Sequence, residues 1–483
     1  MSFYTAMENA MAHMIFYMNR NQKTDVSALA GYLNCLPESL KIDGDIQEQK
    51  NFIIFTVSPA YSQDRQNHSG FDGMISCDAY IYHLLKGGEE KSACGLKITR
   101  MDIGFRKNGD EGRIESVFWY TVQDMEPWSY RGKITEPETA GIGDGFGAET
   151  TSGSLSSEDY LVIKKQVNRP WDQLAISSDE ELRRMFCVPG GIEQPDLGSL
   201  IGLTSSPAME ITGRNQIQVW YPVELFGIHG NMEGHPSVCR CFYYVNSLFS
   251  KDEGKWQMTG QKGWPVLRLP DTPYPQGQRY DKISVDMFPW TLGNEELPGI
   301  FEEDSYKIEN IINAWVYGCR RGRLCEFYEN YMKNDGFVPE MLIRSRGAQT
   351  PKLHGEDEIL HKLSGMDARY HPGMYTFHTA TTPLIEISVD GRTAVGTWFD
   401  HSATNLSGSA FEDSKIPYMV FVARYRHHFR KIDGKWFLTD FFWEPLISLK
   451  DWSFDRKHSG GLAARKNAVL YPEAFSSDIY SCK

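Results

Sequence analysis

Several signatures that would announce a function are missing from this chain. It has no G-x-G-x-x-G after a strand, no P-loop and no G-x-S-x-G, so nucleotide cofactors and serine-hydrolase chemistry have no foothold and a cofactor-independent protein is expected. Long Lys/Arg runs are absent and the formal net charge is −13, which argues against nucleic acid as a partner. No stretch approaches the roughly 18 uninterrupted apolar residues of a membrane span, so no membrane partner is expected. The opening MSFYTAMENAMAHMIFYMNRNQK carries an acid and His13 where a signal peptide has a basic end and a clean apolar core. The nine cysteines are scattered without a C-x-x-C pair. Reduced, structural thiols in a cytoplasmic protein are the expectation. His354, His361, His371 and His378 crowd one region, but they lack H-x-x-x-H or H-E-x-x-H spacing and predict no metal site.

Core material is plentiful. The 483 residues suggest about three domains. A hydrophobic share of 41% and an aromatic share of 13% supply buried cores and ring-lined surfaces. Helical periodicity predicts helices at the start of the chain, with Asp25 as a cap for a second one, and further helices over 74–88, 178–186 and 304–322. In the last of these Ile308, Ile311, Ile312, Trp315 and Val316 share one face. Strand patterns occupy most of the remainder. The Gly-, Ser- and Thr-rich stretch 134–157 reads as a connector.

Three places read Gly-Arg, five residues, Trp, aromatic: Gly112 to Tyr120, Gly213 to Tyr221 and Gly391 to Phe399. SSPAMEI (205–211) echoes TTPLIEI (381–387). Phe249-Ser250-Lys251 with Gly254-Lys255-Trp256 echoes Phe429-Arg430-Lys431 with Gly434-Lys435-Trp436. Self-similarity on this scale means repeated structural units. The expected division is a divergent unit at 1–133, the linker 134–157, a degenerate unit at 158–285, a complete unit at 300–455 and a tail at 456–483. Each unit reads as helices followed by a long antiparallel meander, an α+β fold. A curved sheet closed on one side by its first helix makes a cone, and the hollow of a cone is a natural ligand site.

The last unit resembles the SnoaL-like branch of the NTF2-like superfamily, which includes scytalone dehydratase, bile-acid dehydratases, polyketide cyclases and, more distantly, ketosteroid isomerase. The residues that carry the resemblance are Tyr317, His378 before the Thr-Thr-Pro-Leu-Ile-Glu-Ile strand, the Asp390-Gly391 turn with Ala394 and Trp398, and the Gly434-Lys435-Trp436 hairpin. It implies repeated NTF2-like cones, with Tyr317 and His378 in the roles of the dehydratases' helix Tyr and strand His. Where the family has a helix Asp this chain has Arg320-Arg321, and where bile-acid dehydratases have a second His it has Thr381.

Elimination of water beside a carbonyl needs a base and an acid, and imidazole serves both near neutrality. The expected catalytic set is therefore His378, Tyr317, Asp400 and His401. Strand alternation allows only one of Asp400 and His401 to face the cone, and Asp400 is placed to orient His378. Phe377, Thr381, Trp398, Tyr425 and His427 are the expected substrate-binding residues. His427 and His428 alternate and so face opposite ways. Counted from the shared Trp and Pro, the positions of His378, Asp400 and His401 hold Gly202, Pro222 and Val223 in the middle unit, and Thr99, Thr121 and Val122 in the first. Titratable residues in one copy only point to one working pocket. A lone strand His is more often structural than catalytic, and this asymmetry is the counterweight. The expected function is a cofactor-independent lyase of dehydratase type acting on a hydrophobic hydroxylated polyketide, steroid or aromatic. A ketosteroid-isomerase-like isomerase or polyketide cyclase stands beside it, and a non-catalytic binding or assembly protein is the alternative from another class. The repeated units are expected to form a homo-oligomer or an internal pseudo-oligomer.

Overall fold

The computed structural model describes residues 2–21, 40–42, 52–63, 71–85, 92–109, 111–130, 155–174, 197–230, 236–273, 302–321, 323–343, 350–366, 375–405 and 415–455. The chain divides into two compact units, Met1–Gln278 and Arg279–Lys483. Both are α+β, built on curved antiparallel meanders. Among the described residues no helix is long and apolar enough to cross a membrane. The expected helices after Asp25 and at 178–186, most of the linker 134–157 and the tail 456–483 lie outside the described residues.

The first unit holds two sheets. Helix α1 (Phe3–Asn21) precedes β1 (Leu40–Ile42), β2 (Phe52–Gln63), β3 (Gly73–Leu85), β4 (Ser92–Asn108) and β5 (Glu111–Tyr130). These pair in the order β1-β5-β4-β3-β2, with β1 parallel to β5 and the rest antiparallel. Residues 74–85 are strand rather than the expected helix. Every described side chain from Gly73 to Ile81 is buried, and a strand covered on both faces loses the alternation that distinguishes it from a helix. Helix α2 (Ser157–Leu174) then precedes β6 (Leu197–Thr204), β7 (Ala208–Gly213), β8 (Gln216–Gly230), β9 (Pro236–Asp252) and β10 (Lys255–Pro273). Both β6 and β7 pair with β8, and the sheet continues through β9 to β10.

α1 joins the two sheets. Its Met7, Met11 and Met14 are buried, and it packs on β2, β3 and β5 of its own sheet and on β7 and β8 of the other. Phe16 stacks on Trp220 at 4.9 Å and lies 5.5 Å from Tyr244. Asn9 closes the edge of β7 by accepting from the Met209 amide at 2.9 Å and donating to its carbonyl at 3.4 Å. A side-chain amide that satisfies both exposed groups of an edge strand blocks further strand pairing there.

The second unit holds helices α3 (Glu302–Arg321), α4 (Leu324–Tyr331) and α5 (Gly355–Met366). Its strands are β11 (Glu340–Ile343), β12 (Leu353–His354), β13 (Tyr375–Phe377), β14 (Thr381–Ile387), β15 (Thr393–Asn405), β16 (Lys415–Ile432) and β17 (Lys435–Asp455). The order is β12-β11-β17-β16-β15-β13, with β14 also on β15 and β11 parallel to β17. Ile308, Ile311, Ile312, Trp315 and Val316 of α3 are all buried, and Trp315 rests on Phe441 of β17 at 4.5 Å.

The three sheets share one plan: a helix, then a broken or bulged strand, then a three-strand meander. The break falls at Ser58-Pro59, at Ser205-Ser206-Pro207 and at Thr382-Pro383, where the pairing register shifts or the strand is interrupted. This plan corrects one part of the expected repeat. Trp119 lies on β5, the last strand of its meander, whereas Trp220 and Trp398 lie on β8 and β15, the first strands of theirs. The Gly-Arg motif at 112 is therefore a chance likeness, and Thr99, Thr121 and Val122 are not the counterparts of His378, Asp400 and His401. Counted from the shared Pro, His378 corresponds to Gly202 in the second sheet, as expected, and to Ile54 in the first.

Candidate functional site

His378 stands between β13 and β14, just before the Thr382-Pro383 break. Thr382 takes φ 55° there, a conformation costly for a β-branched residue and held only by firm surroundings. Those surroundings include the neighbouring threonines, since the Thr379 hydroxyl donates to the His401 carbonyl at 3.2 Å and accepts from its amide at 2.8 Å. The Thr381 hydroxyl donates to the Phe399 carbonyl at 3.2 Å. The segment is thereby fixed to β15, and its imidazole is carried to Asp400.

Asp400 is fully buried and every contact it makes is from a donor. His378 Nδ1 lies 2.6 Å from Oδ2, the Tyr425 hydroxyl donates to the same oxygen at 3.1 Å, and Trp443 Nε1 donates to it at 2.9 Å. The Thr379 amide donates to Oδ1 at 2.9 Å. Four donors around one carboxylate replace the hydrogen bonds it loses with water. A carboxylate facing Nδ1 places that ring proton on Nδ1 and leaves Nε2 as the lone-pair nitrogen. His378 keeps 8% of its surface, and the hydrogen bonds its ring makes to Asp400 and Tyr425 are both at Nδ1. The Trp443 ring meets the imidazole edge-on at 6.3 Å.

Tyr425 is raised well above the ordinary phenol range, by burial first and by the charge of Asp400 second. It is therefore a neutral donor that holds Asp400, beyond its expected part in lining the site. Further along the same sheet face, His427 lies among Phe441, Tyr425 and Trp398, with ring centroids 4.5, 5.3 and 5.8 Å away. Burial, then the neighbouring His428, hold its pKa well below the usual imidazole value. His428 points the other way and is half-buried, its pKa lowered by burial against the pull of Asp440.

The structure thus brings together His378, Asp400 and Tyr425, with Trp398 and His427 on the same face. It does not bring in His401, the next residue of β15, whose side chain alternation turns to the opposite face, where it is buried. Thr381 is buried and spends its hydroxyl on the backbone. The side chains of Tyr317 and Phe377 lie outside the described residues. Trp443 and the Thr379 amide are parts that sequence reasoning missed. Among the described residues no group of three or more His, Cys, Asp or Glu is placed to hold a metal ion.

The SnoaL-like domain family matches residues 303–441, a stretch that contains His378, Asp400, Tyr425 and His427. These residues are similar to a SnoaL-like domain. The match ends just short of Trp443 and leaves the two sheets of the first unit unmatched. No curated protein matches the chain. Among solved structures, one similar chain is a provisionally assigned dehydratase of the NTF2-like family from Streptomyces avermitilis, 16% identical, covering 30% of this chain and 98% of its own with a TM-score of 0.26. A provisionally assigned scytalone dehydratase from Novosphingobium aromaticivorans is 14% identical over 31% of this chain and 89% of its own, with a TM-score of 0.25. A protein from Kribbella flavida is 12% identical over 31% of this chain and 94% of its own, with a TM-score of 0.26.

Proposed function

We propose that the SnoaL-like domain is a cofactor-independent lyase that removes water from a hydrophobic hydroxylated ring compound bearing a carbonyl. The observation that carries this reading is the 2.6 Å contact between His378 Nδ1 and a fully buried Asp400, which leaves Nε2 as the one ring atom free to exchange a proton with a ligand. Nε2 takes the proton beside the carbonyl, and the electron pair moves into the carbonyl oxygen. The enolate oxygen then re-forms the carbonyl, the electron pair of its carbon–carbon double bond shifts to make a new double bond to the next carbon as hydroxide leaves that carbon, and the imidazolium returns its proton to make water. Asp400 orients the ring and stabilises the imidazolium. Aromatic side chains along the sheet face suit an apolar ring substrate.

A proton shift without a leaving hydroxyl is the second reading. It is favoured by the commitment of Tyr425, the phenol that meets His378 among the described residues, to Asp400, since an isomerase needs no separate acid. The experiment is turnover of hydroxylated cyclic ketones by His378→Ala and Asp400→Asn. His378→Ala is expected to lose on the order of 10²–10⁴-fold in kcat, the ordinary worth of general acid–base catalysis, with ligand affinity kept. Unchanged turnover in His378→Ala removes the reading, while turnover absent in the wild type with binding intact leaves a carrier rather than an enzyme.

A further inference from the structure

His427 is a buried titratable side chain that the mechanism above does not use. It has no exposed surface. The Phe442 amide donates to its Nδ1 at 3.3 Å, and a nitrogen that accepts a hydrogen bond carries no proton. The ring proton of the neutral imidazole therefore sits on Nε2. Among the described residues that N–H meets no acceptor of hydrogen-bonding geometry; the Arg426 carbonyl makes only a weak backbone interaction with the ring, the smallest of the three influences on it. Buried donors in folded proteins are almost always paired, and leaving one unpaired is costly. A donor kept at that cost, on the same sheet face as Asp400 and Tyr425 and two residues along the strand from Tyr425, calls for an acceptor supplied from outside the chain.

We infer that His427 Nε2–H is the hydrogen-bond donor to the substrate's carbonyl oxygen, and that the ligand's oxygen-bearing ring lies against Trp398 and Phe441. The inference rests on the proposed lyase reading and gives it a missing part. Proton removal by His378 pushes negative charge onto the carbonyl oxygen, and a fixed, dry donor at that oxygen is the strongest single aid to such a step. No proton leaves His427; it donates a hydrogen bond that tightens as the enolate forms. The role expected of Tyr317 in the sequence is thereby assigned to a residue on β16. The substrate class narrows to a ring ketone, because a hydrocarbon of the same shape offers Nε2–H nothing to bind.

The test uses the full chain, with 1-tetralone as the ketone probe and tetralin as its oxygen-free counterpart. Imidazole ¹⁵N spectra are expected to show His427 as the Nε2-protonated tautomer and to show its Nε2–H resonance moving with 1-tetralone but not with tetralin. Wild type is expected to prefer the ketone by roughly tenfold, the worth of one good hydrogen bond. His427→Phe is expected to abolish that preference, His427→Gln to keep part of it, and His378→Ala to keep it. An Nδ1-protonated ring, a resonance unmoved by the ketone, or a preference that survives His427→Phe overturns the inference. If both probes bind equally well, the inference alone falls; if neither binds, the lyase reading falls with it. Should His427→Phe fail to fold, the tautomer and the ketone-induced shift in the wild type still decide.

Discussion

The second and third sheets are built on one frame and differ where chemistry would occur. In both, an aspartate in the first turn of the leading helix clamps the far hairpin. Asp159 accepts from Lys251 Nζ at 2.9 Å and Trp256 Nε1 at 2.6 Å; Asp304 accepts from Lys431 Nζ at 2.8 Å and Trp436 Nε1 at 2.9 Å. In both, the lysine also lies over the tryptophan ring, at 5.4 and 5.7 Å. Counted from these aspartates, Trp171 in the second sheet's helix stands where the third has Val316. Trp171 covers Gly202, and a Cβ built there would lie 2.1 Å from the indole ring. Gly202 is the counterpart of His378. The second copy fills the space over Gly202 with an indole, whereas the third carries the smaller Val316 at the helix position and an imidazole at the strand position. What the contrast teaches is that the clamp belongs to the fold, while the helix and strand positions held by Trp171 and Gly202 in one copy and by Val316 and His378 in the other are where the two copies part.

The sharpest way to break this contrast is to write the second copy's solution into the third. The double variant His378→Gly, Val316→Trp is expected to fold and to lose all His378-dependent turnover, on the order of 10²–10⁴-fold. Val316→Trp alone is expected to cost about 1–3 kcal/mol through overpacking, and His378→Gly to relieve part of that cost. Chemical denaturation of the two singles and the double gives the coupling; strictly additive values would mean that residues 316 and 378 do not share one space.

The reverse change sharpens the view of the second copy. Trp171→Ala is expected to destabilise the first unit by about 3–5 kcal/mol, the usual cost of removing a buried tryptophan. A loss below about 1 kcal/mol in urea unfolding would show that the indole fills no essential space. The filled copy still buries polar groups: Tyr221 meets Ser247 at 3.2 Å and Gln261 at 2.7 Å, and burial pushes its hydroxyl up to about 12. These groups have partners within the protein and await no ligand.

Much of this was legible in the sequence, and the failures have identifiable causes. The Lys-Trp hairpins and the SSPAMEI/TTPLIEI echo are read directly from spacing, and strand alternation makes Asp400 the candidate to orient His378. Trp443 was hidden because a register shift lies between His428 and Phe429. Counting back from the Ile432–Lys435 pair sets Phe442 opposite Tyr425, whereas the bulge moves Trp443 there and turns its indole toward Asp400. Residues 74–85 were misread because a strand buried on both faces carries no periodicity. The Gly-Arg motif at 112 misled because a short motif on a hairpin records a turn, and every meander has two turns on which it can fall. The helix aspartate clamp had its partners in view as the Lys-Trp echo, but its third member lies on another element more than a hundred residues away in the third copy.

The clamp itself supplies a smaller test. Asp304→Ala leaves the buried Trp436 Nε1 and Lys431 without their acceptor and is expected to cost the second unit about 1–3 kcal/mol. Asp159→Ala is expected to cost the first unit less, since its side chain and that of Lys251 keep 22% and 32% of their surface against 8% for Asp304, and water replaces part of what is lost. Equal losses, measured by denaturant midpoints, would mean that solvent access does not set the strength of the clamp.

The smallest effect is in acid. Burial acts to raise the Asp159 carboxyl, but the hydrogen bonds from Lys251, Trp256 and Ser156 outweigh it and hold its pKa below the ordinary carboxylate value. A group whose pKa is lower folded than unfolded stabilises the protein above its unfolded value, about 4, and loses that contribution as pH falls through the folded value. The first unit is therefore expected to lose stability below about pH 4, and Asp159→Asn to flatten that part of the curve while its stability at neutral pH drops. Unfolding midpoints between about pH 3 and pH 6 measure it. A variant curve parallel to the wild type would show that the carboxylate contributes no charge-dependent stability, and the clamp would then be a matter of shape and neutral hydrogen bonding in the second copy.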